Sequence, residues 1–236
     1  MQLRILWEGK FVPFKKASLI LFICLIGILS ACSGESTEEK IHNHFEESVS
    51  LEEGFEKQQK EITDLEKQEQ KLYGEIIDLG MEDFDKIKDL SQQAIKVIEQ
   101  RSENIKLEKE SIDASKEAFN KTEKLIEKLD DVKVKKKAEK LYKVMNDRFS
   151  AYDDLYKAYT KSLGLEKELY TMLQKEEIEQ EELTDQITSI NESYELVLGA
   201  NEQFNEDTNN YNELKKDFYK TAEINVGYDD HQTNDK

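Results

Sequence analysis

The 236-residue chain carries 52 acidic against 34 basic side chains, a formal net charge of −18. That balance opposes nucleic acid and nonspecific adhesion to polyanionic polymers, because like charges repel. Beyond residue 31 the only cysteine is Cys32, which excludes an intramolecular disulfide framework and a cysteine-built zinc site there.

Residues 1–31 differ from everything after them. They hold Arg4, Lys10, Lys15 and Lys16 against a single Glu8, so the remainder has 30 basic and 51 acidic residues, a net charge of −21. Lys15 and Lys16 precede the apolar run Ala17–Leu29, too short to span a roughly 30 Å hydrocarbon core as a helix of about 20 residues. A basic segment followed by an apolar run of this length reads as a secretory signal peptide. It ends in Leu29-Ser30-Ala31-Cys32, the pattern of a lipobox: small residues precede a cysteine whose thiol accepts a diacylglyceryl group. Residues 1–31 are then the removed leader, 32–38 a lipidated tether, 39–222 a helical bundle and 223–236 a flexible tail. Two or more acyl chains hold a protein stably where one does not, which places the chain on the outer face of the cell membrane. Ser33 stands where an inner-membrane retention signal has Asp, which suits a single-membrane, Gram-positive type of cell. Trp7-Glu8-Gly9 can be encoded by a purine-rich stretch resembling a ribosome-binding site, so Val12 competes with Met1 as the start of translation.

The rest of the chain has no proline to kink a helix, and its apolar residues recur at helical spacing. The first stripe runs Ile41, His44, Ser48, Leu51, Phe55, Gln58, Ile62, Leu65, Glu69, Leu72, Ile76, Leu79. Ser36 with Glu39 forms a capping box at its start and Gly80 a C-terminal stop. The second stretch repeats every seven residues: Phe84, Ser91, Ile98, Ile105, Ile112, Phe119, Ile126. A repeat sustained this long predicts coiled-coil-like packing. Asp130-Asp131 then caps a third helix. Its stripe is Val134, Ala138, Leu141, Met145, Phe149, Tyr152, Tyr156, Tyr159, Leu163, Glu166, Tyr170, Leu173. After the polar interval Lys175–Glu182, the fourth stripe runs Leu183, Ile187, Ile190, Tyr194, Val197, Asn201, Phe204, Thr208, Tyr211, Lys215, Phe218, Ala222.

Four amphipathic segments of similar length with short connections predict an all-α fold, a long antiparallel up-and-down four-helix bundle. A long antiparallel coiled coil that dimerises satisfies the same pattern. Few residues separate Cys32 from the first helix, so the turn at 130–132 and the C-terminal tail lie near the anchor. The turns at Gly80 and 175–182 form the far tip.

Candidate chemistry is sparse. Glu39 and His42 make one arm of a bundle di-iron site, but such a site needs two such pairs and two further glutamates; no catalytic residue, metal site or cofactor is expected. Tyr142, Tyr152, Tyr156, Tyr159 and Tyr170 suit a sugar-stacking strip, yet four of the five fall on the core stripe. Lys133, Lys135, Lys136, Lys137 and Lys140 form a basic patch where the bundle meets the membrane. Glu176, Glu177, Glu179, Glu181 and Glu182 give the far tip an acidic face.

Several runs carry a family resemblance: Glu52-Glu53-Gly54-Phe55-Glu56, Ile76-Ile77-Asp78-Leu79-Gly80-Met81, Lys109-Glu110-Ser111-Ile112-Asp113-Ala114-Ser115 and Ile190-Asn191-Glu192-Ser193-Tyr194. With these the chain resembles, from Cys32 to about Val226, the YkyA-like family of Gram-positive lipoproteins, to which cell-wall binding is attributed. The resemblance implies a four-helical up-and-down bundle and brings no catalytic or ligand residues with it. The expected function is that of a membrane-anchored extracellular lipoprotein with a non-enzymatic binding or scaffolding role at the envelope. Its partners are the membrane, through the anchor, and a cell-wall component or envelope protein. The alternative is a protein–protein adaptor or spacer of the cell surface with no wall affinity.

Overall fold

The computed structural model describes residues 35–224. In chain order these form α1 (Thr37–Leu51), α2 (Glu53–Ile77), α3 (Phe84–Asn120), α4 (Glu123–Ile126), α5 (Val132–Met172) and α6 (Gln180–Thr221). One 3-10 turn, Met81–Asp83, precedes α3, and there is no strand among the described residues. α1 with α2 is the first arm of an up-and-down bundle, and α3 with α4 is the second. α5 and α6 are the third and fourth. At 41 residues α5 runs about 60 Å. Backbones pack closely between α2 and α3, α3 and α5, and α5 and α6. The first arm and α6 are instead bridged by long side chains, among them Phe45 with Phe218 and Phe55 with Phe204.

Local chemistry sets the helix starts. Ser36 Oγ accepts the Glu39 N–H at 3.1 Å while Glu39 Oε2 accepts the Ser36 N–H at 2.7 Å, the capping box its sequence predicts. Asp131 Oδ1 accepts the N–H groups of Lys133 and Val134 at 2.7 and 3.0 Å, which opens α5.

The first arm departs from the sequence expectation of one continuous helix. It breaks at Glu52, whose backbone (φ −88°, ψ 1°) leaves the helical region. Ser111 Oγ donates to the Leu51 carbonyl at 2.6 Å, so a neighbouring helix satisfies an oxygen near the break. Gly54 follows because the two arms approach closely: a Cβ there would sit 3.3 Å from Ser111 Oγ. The break also changes the phase. Phe45, Ser48 and Glu52 point inward, whereas Leu51, placed on the stripe by spacing, is 41% exposed. Gly80 is not the C-terminal cap either: α2 ends at Ile77, and Gly80 sits in extended backbone (φ −94°, ψ 172°) before the 3-10 turn.

The core has two parts. Towards the start of α1 it is aromatic, with Phe45, Phe119, Phe149, Tyr152, Phe204, Tyr211 and Phe218 buried together. Towards the opposite end it is mainly aliphatic, including Ile62, Ile98, Ile105, Leu163, Ile187 and Ile190. The sevenfold series on α3 and α4 faces inward: Ser91, Ile98, Ile105, Ile112, Phe119 and Ile126 are all buried, and Phe84 is half-buried. Phe119 is the hub of the aromatic part. Its ring stacks on Phe45 at 5.1 Å and on Tyr142 at 5.5 Å, and meets Phe149 and Tyr211 edge-on.

Cross-arm contacts place both ends. Lys121 pairs with Glu47 at 3.5 Å and the Tyr219 hydroxyl donates to Glu46 at 2.8 Å. The start of α1, the α4–α5 connection and the end of α6 therefore share one end. Tyr73 and Ile76 of α2 meet Leu169, Leu173, Leu183 and Ile187 at the other. Phe119→Ala removes a ring held by all four arms and is expected to cost about 3–5 kcal/mol. Urea unfolding of the variant beside the parent measures it.

Candidate functional site

Three residues after each member of the apolar series on α3 lies a second sevenfold series: Ile87, Ala94, Arg101, Glu108, Ser115 and, just past the helix end, Thr122. All six are buried and four are polar or charged. This second line carries a ladder of polar groups along the bundle axis, answered by polar side chains from the other three arms.

The lowest rung, nearest α1, sits at the helix break. Glu52 turns inward and Arg148 of α5 meets it with two parallel hydrogen bonds, 2.8 and 2.7 Å. Arg148 Nε donates to Thr208 Oγ1 of α6 at 2.9 Å, and its guanidinium lies 4.6 Å from the Phe204 ring centroid. Ser115 Oγ donates to Glu52 Oε1 at 2.7 Å, and Ser48 Oγ lies 2.7 Å from Ser115 Oγ. One ion pair thus ties all four arms.

The middle rung is Glu108, buried with no cation bonded to it. Its oxygens accept from the Tyr152 hydroxyl at 2.8 Å and Gln59 Nε2 at 2.6 Å. Above it, Arg101 faces three carboxylates. It donates to Glu69 and, at 2.6 Å, to Glu166, and lies 3.6 Å from Glu66. Its Nε donates to the Tyr159 hydroxyl at 2.9 Å, which in turn donates to Glu66 Oε1 at 2.8 Å. Tyr194 of α6 donates to Glu166 Oε1 at 2.8 Å.

One guanidinium cannot neutralise three buried carboxylates, so protons complete the balance. Burial pushes the Glu69 carboxyl up to about 8, aided by the Glu166 charge and opposed by Arg101. Burial likewise raises Glu66 against the pull of Arg101. Glu108, also through burial, is pushed up to about 8 despite the Tyr152 and Gln59 hydrogen bonds. Each ladder carboxylate accepts hydrogen bonds from the groups around it, so the chemistry of the arrangement is mutual holding. Sequence reading placed Glu69, Tyr152, Tyr159 and Glu166 on stripes but missed Arg101, Glu108 and Arg148. The second sevenfold series was the available signal for the first two.

The tyrosines belong to this interior. Tyr152, Tyr159 and Tyr170 are buried, and Tyr142 and Tyr156 partly so. Glu39 is spent on the α1 cap, and His42 rests edge-on against Tyr219, ring centroids 5.0 Å apart. No cluster of three or more metal-ligating side chains occurs among the described residues. Glu176, Glu177 and Glu179 are exposed in the α5–α6 connection, and Glu181 and Glu182 in the first turn of α6, at the end away from α1. The basic run opens α5 at the α1 end: Lys137 pairs with Asp217, Lys135 Nζ donates to the Glu127 carbonyl at 2.7 Å, and Lys133, Lys136 and Lys140 are exposed. Leu29, Ser30, Ala31 and Cys32 lie outside the described residues.

Residues 36–221, from the cap of α1 to the last residue of α6, match a family described as "Putative cell-wall binding lipoprotein", YkyA. The chain belongs to the YkyA family. It is 32% identical over 205 residues to the "Uncharacterized lipoprotein YkyA" of Bacillus subtilis (strain 168), covering 87% of this chain and 92% of that one. The fold is also that of a crystal structure described as a conserved protein of unknown function from Staphylococcus aureus. The TM-score is 0.56 at 19% identity, over 81% of this chain and 98% of that one. Two of the runs that carry the family resemblance meet in space, where Glu52 and Gly54 face Ser111 and Ser115 across the lowest rung, and Tyr194 of another completes the uppermost.

The sign of the pH dependence follows from the raised carboxyls. Between roughly pH 4.5 and pH 8 the folded chain holds protons on Glu69 and Glu108 that the unfolded chain releases. The stability these two groups contribute is therefore fully present below that window and falls as pH rises through it, by up to about 1.4 kcal/mol per pH unit for each group. Glu108→Gln is expected to make the decline shallower, which urea unfolding at a series of pH values reads directly. Arg148→Met leaves Glu52 buried without its partner and is expected to cost about 3–5 kcal/mol, measured the same way at one pH.

Proposed function

We propose that the protein is acylated at Cys32 and stands on the outer face of the cell membrane as a non-enzymatic binding or scaffolding protein that attaches to a cell-wall component. The observation that carries this reading is the junction of lipobox and bundle. Leu29-Ser30-Ala31-Cys32 is followed only four residues later by Ser36, the cap of α1. At about 3.5 Å per residue the tether reaches no more than about 14 Å, so the bundle is held against the surface that carries the lipid. The family description supports envelope location and wall affinity. The ladder supports a non-catalytic role, because its titratable groups are engaged with one another inside the bundle. With the buried groups committed in this way, exposed helix faces are the surfaces that meet a partner. Wall binding, with the net charge so negative, runs through hydrogen bonding and apolar contact and not through charge attraction.

Two measurements test this reading. A fatty acid label fed to cells is expected to enter the native protein, and Cys32→Ser is expected to abolish that labelling and release the chain to the medium. The soluble chain is expected to sediment with purified peptidoglycan. Labelling without sedimentation leaves the anchor standing and replaces wall binding by the adaptor role, with a protein partner.

A further inference from the structure

The two ends of the bundle carry opposite charge. Where α5 gives way to α6, residues 175–182 hold five glutamates and one lysine. At the other end, from Lys124 to Lys143, eight lysines stand against four acids in a chain whose net charge is −18. One of those acids, Asp131, is already bonded to the first N–H groups of α5. Lys133, Lys136 and Lys140 follow one another at three- and four-residue spacing, which aligns them on one outer stripe of α5. All three are exposed and none has an ion-pair partner among the described residues.

Helix stability does not account for these lysines. The start of a helix is its positive end and favours acidic side chains. α1, α2, α3 and α6 all have one or more in the first turn, whereas α5 has none. At the head of the same stripe Val132, the first residue of α5, is 79% exposed. An apolar tip ringed by cations is the surface that an anionic bilayer complements: the side chain enters the interface and the lysines meet lipid phosphates. The chain itself adds the third observation. The described residues begin at Glu35 on this same end, three residues after Cys32.

We infer that the α4–α5 end of the bundle, through Val132, Lys133, Lys136 and Lys140, is a docking surface for an anionic lipid bilayer. The contact sets the bundle upright on the membrane, and its acidic far tip is repelled outward. The inference shares its end of the molecule with the proposed anchor but does not need acylation, so the two can fail separately.

The test uses the chain from residue 32 onward with Cys32→Ser, which contains every residue of the described core. All of α1 to α6, and the whole of the family match at residues 36–221, lie within it. The protein is expected to co-sediment with vesicles of equimolar phosphatidylglycerol and phosphatidylcholine, to release as salt rises, and to ignore pure phosphatidylcholine. Reversing the stripe with K133E/K136E/K140E is expected to weaken partitioning by well over a hundredfold without lowering the melting temperature, since acids suit the start of α5. The neutral K133Q/K136Q/K140Q keeps the comparison available if the reversal perturbs folding, and is expected to lose about a hundredfold. Undiminished binding by the neutral variant overturns the inference. So does equal binding to both vesicle types, or capture of soluble polyphosphate with no binding to vesicles.

Discussion

Arg148 and Glu52 hold the molecule to a single arrangement. Glu52 can reach the bundle axis only because the first arm breaks beside it. The guanidinium that meets it comes from the third arm, with Thr208 of the fourth and Ser115 of the second completing the contact. Sliding any helix by one turn, about 5.4 Å, would leave at least one charged group buried without its partner. Apolar side chains are more forgiving, because a leucine displaced by one turn finds another apolar neighbour. A long bundle with a largely aliphatic half has many near-equivalent registers, and the polar ladder discriminates among them.

That discrimination has a thermodynamic cost. Moving ions from water to the interior is unfavourable, and mutual attraction returns it only when geometry is good and the remaining lone pairs are bonded. The two arginine rungs solve this differently. At Glu52 one cation meets one carboxylate in a fork with both oxygens bonded. At Arg101 one cation meets three carboxylates, and the surplus charge is removed by protonation and by tyrosine hydroxyls that donate into the cluster. Glu108, with no cation at all, is the limiting case: it stays inside as a neutral acid near pH 7. Tyr152, Tyr159 and Tyr194 therefore act as internal donors from a core stripe.

The ladder also explains the separation of charge along the bundle. The charged groups of the ladder are engaged inside, so the outer faces and the two ends carry most of the charge of the chain. Lysines gather where α5 begins and glutamates where α5 gives way to α6. Four antiparallel arms bring the start of α1, the start of α5 and the end of α6 together, so the first described residues and a basic surface on α5 share one end. Connectivity alone produces this coincidence.

The sequence by itself determined the number of helices' worth of apolar stripe, the caps at Ser36 and Asp131, the inward series through Phe119, and the pairing of ends. These follow from periodicity, from side chains bonding their own backbone, and from short connections that force antiparallel neighbours. Local spacing was misleading at Gly80, and at Leu51, where contacts from another arm outweighed the chain's own pattern. The break at Glu52 depends on Ser111 reaching the Leu51 carbonyl and on the close approach at Gly54, neither of which periodicity reports. Arg101, Glu108 and Arg148 read in isolation as solvated charges, because the partners that make their burial possible lie from 32 to 96 residues away. Only the packed structure decided which charges go inside, since an ion enters the core when its counter-charge and hydrogen-bond donors already stand there.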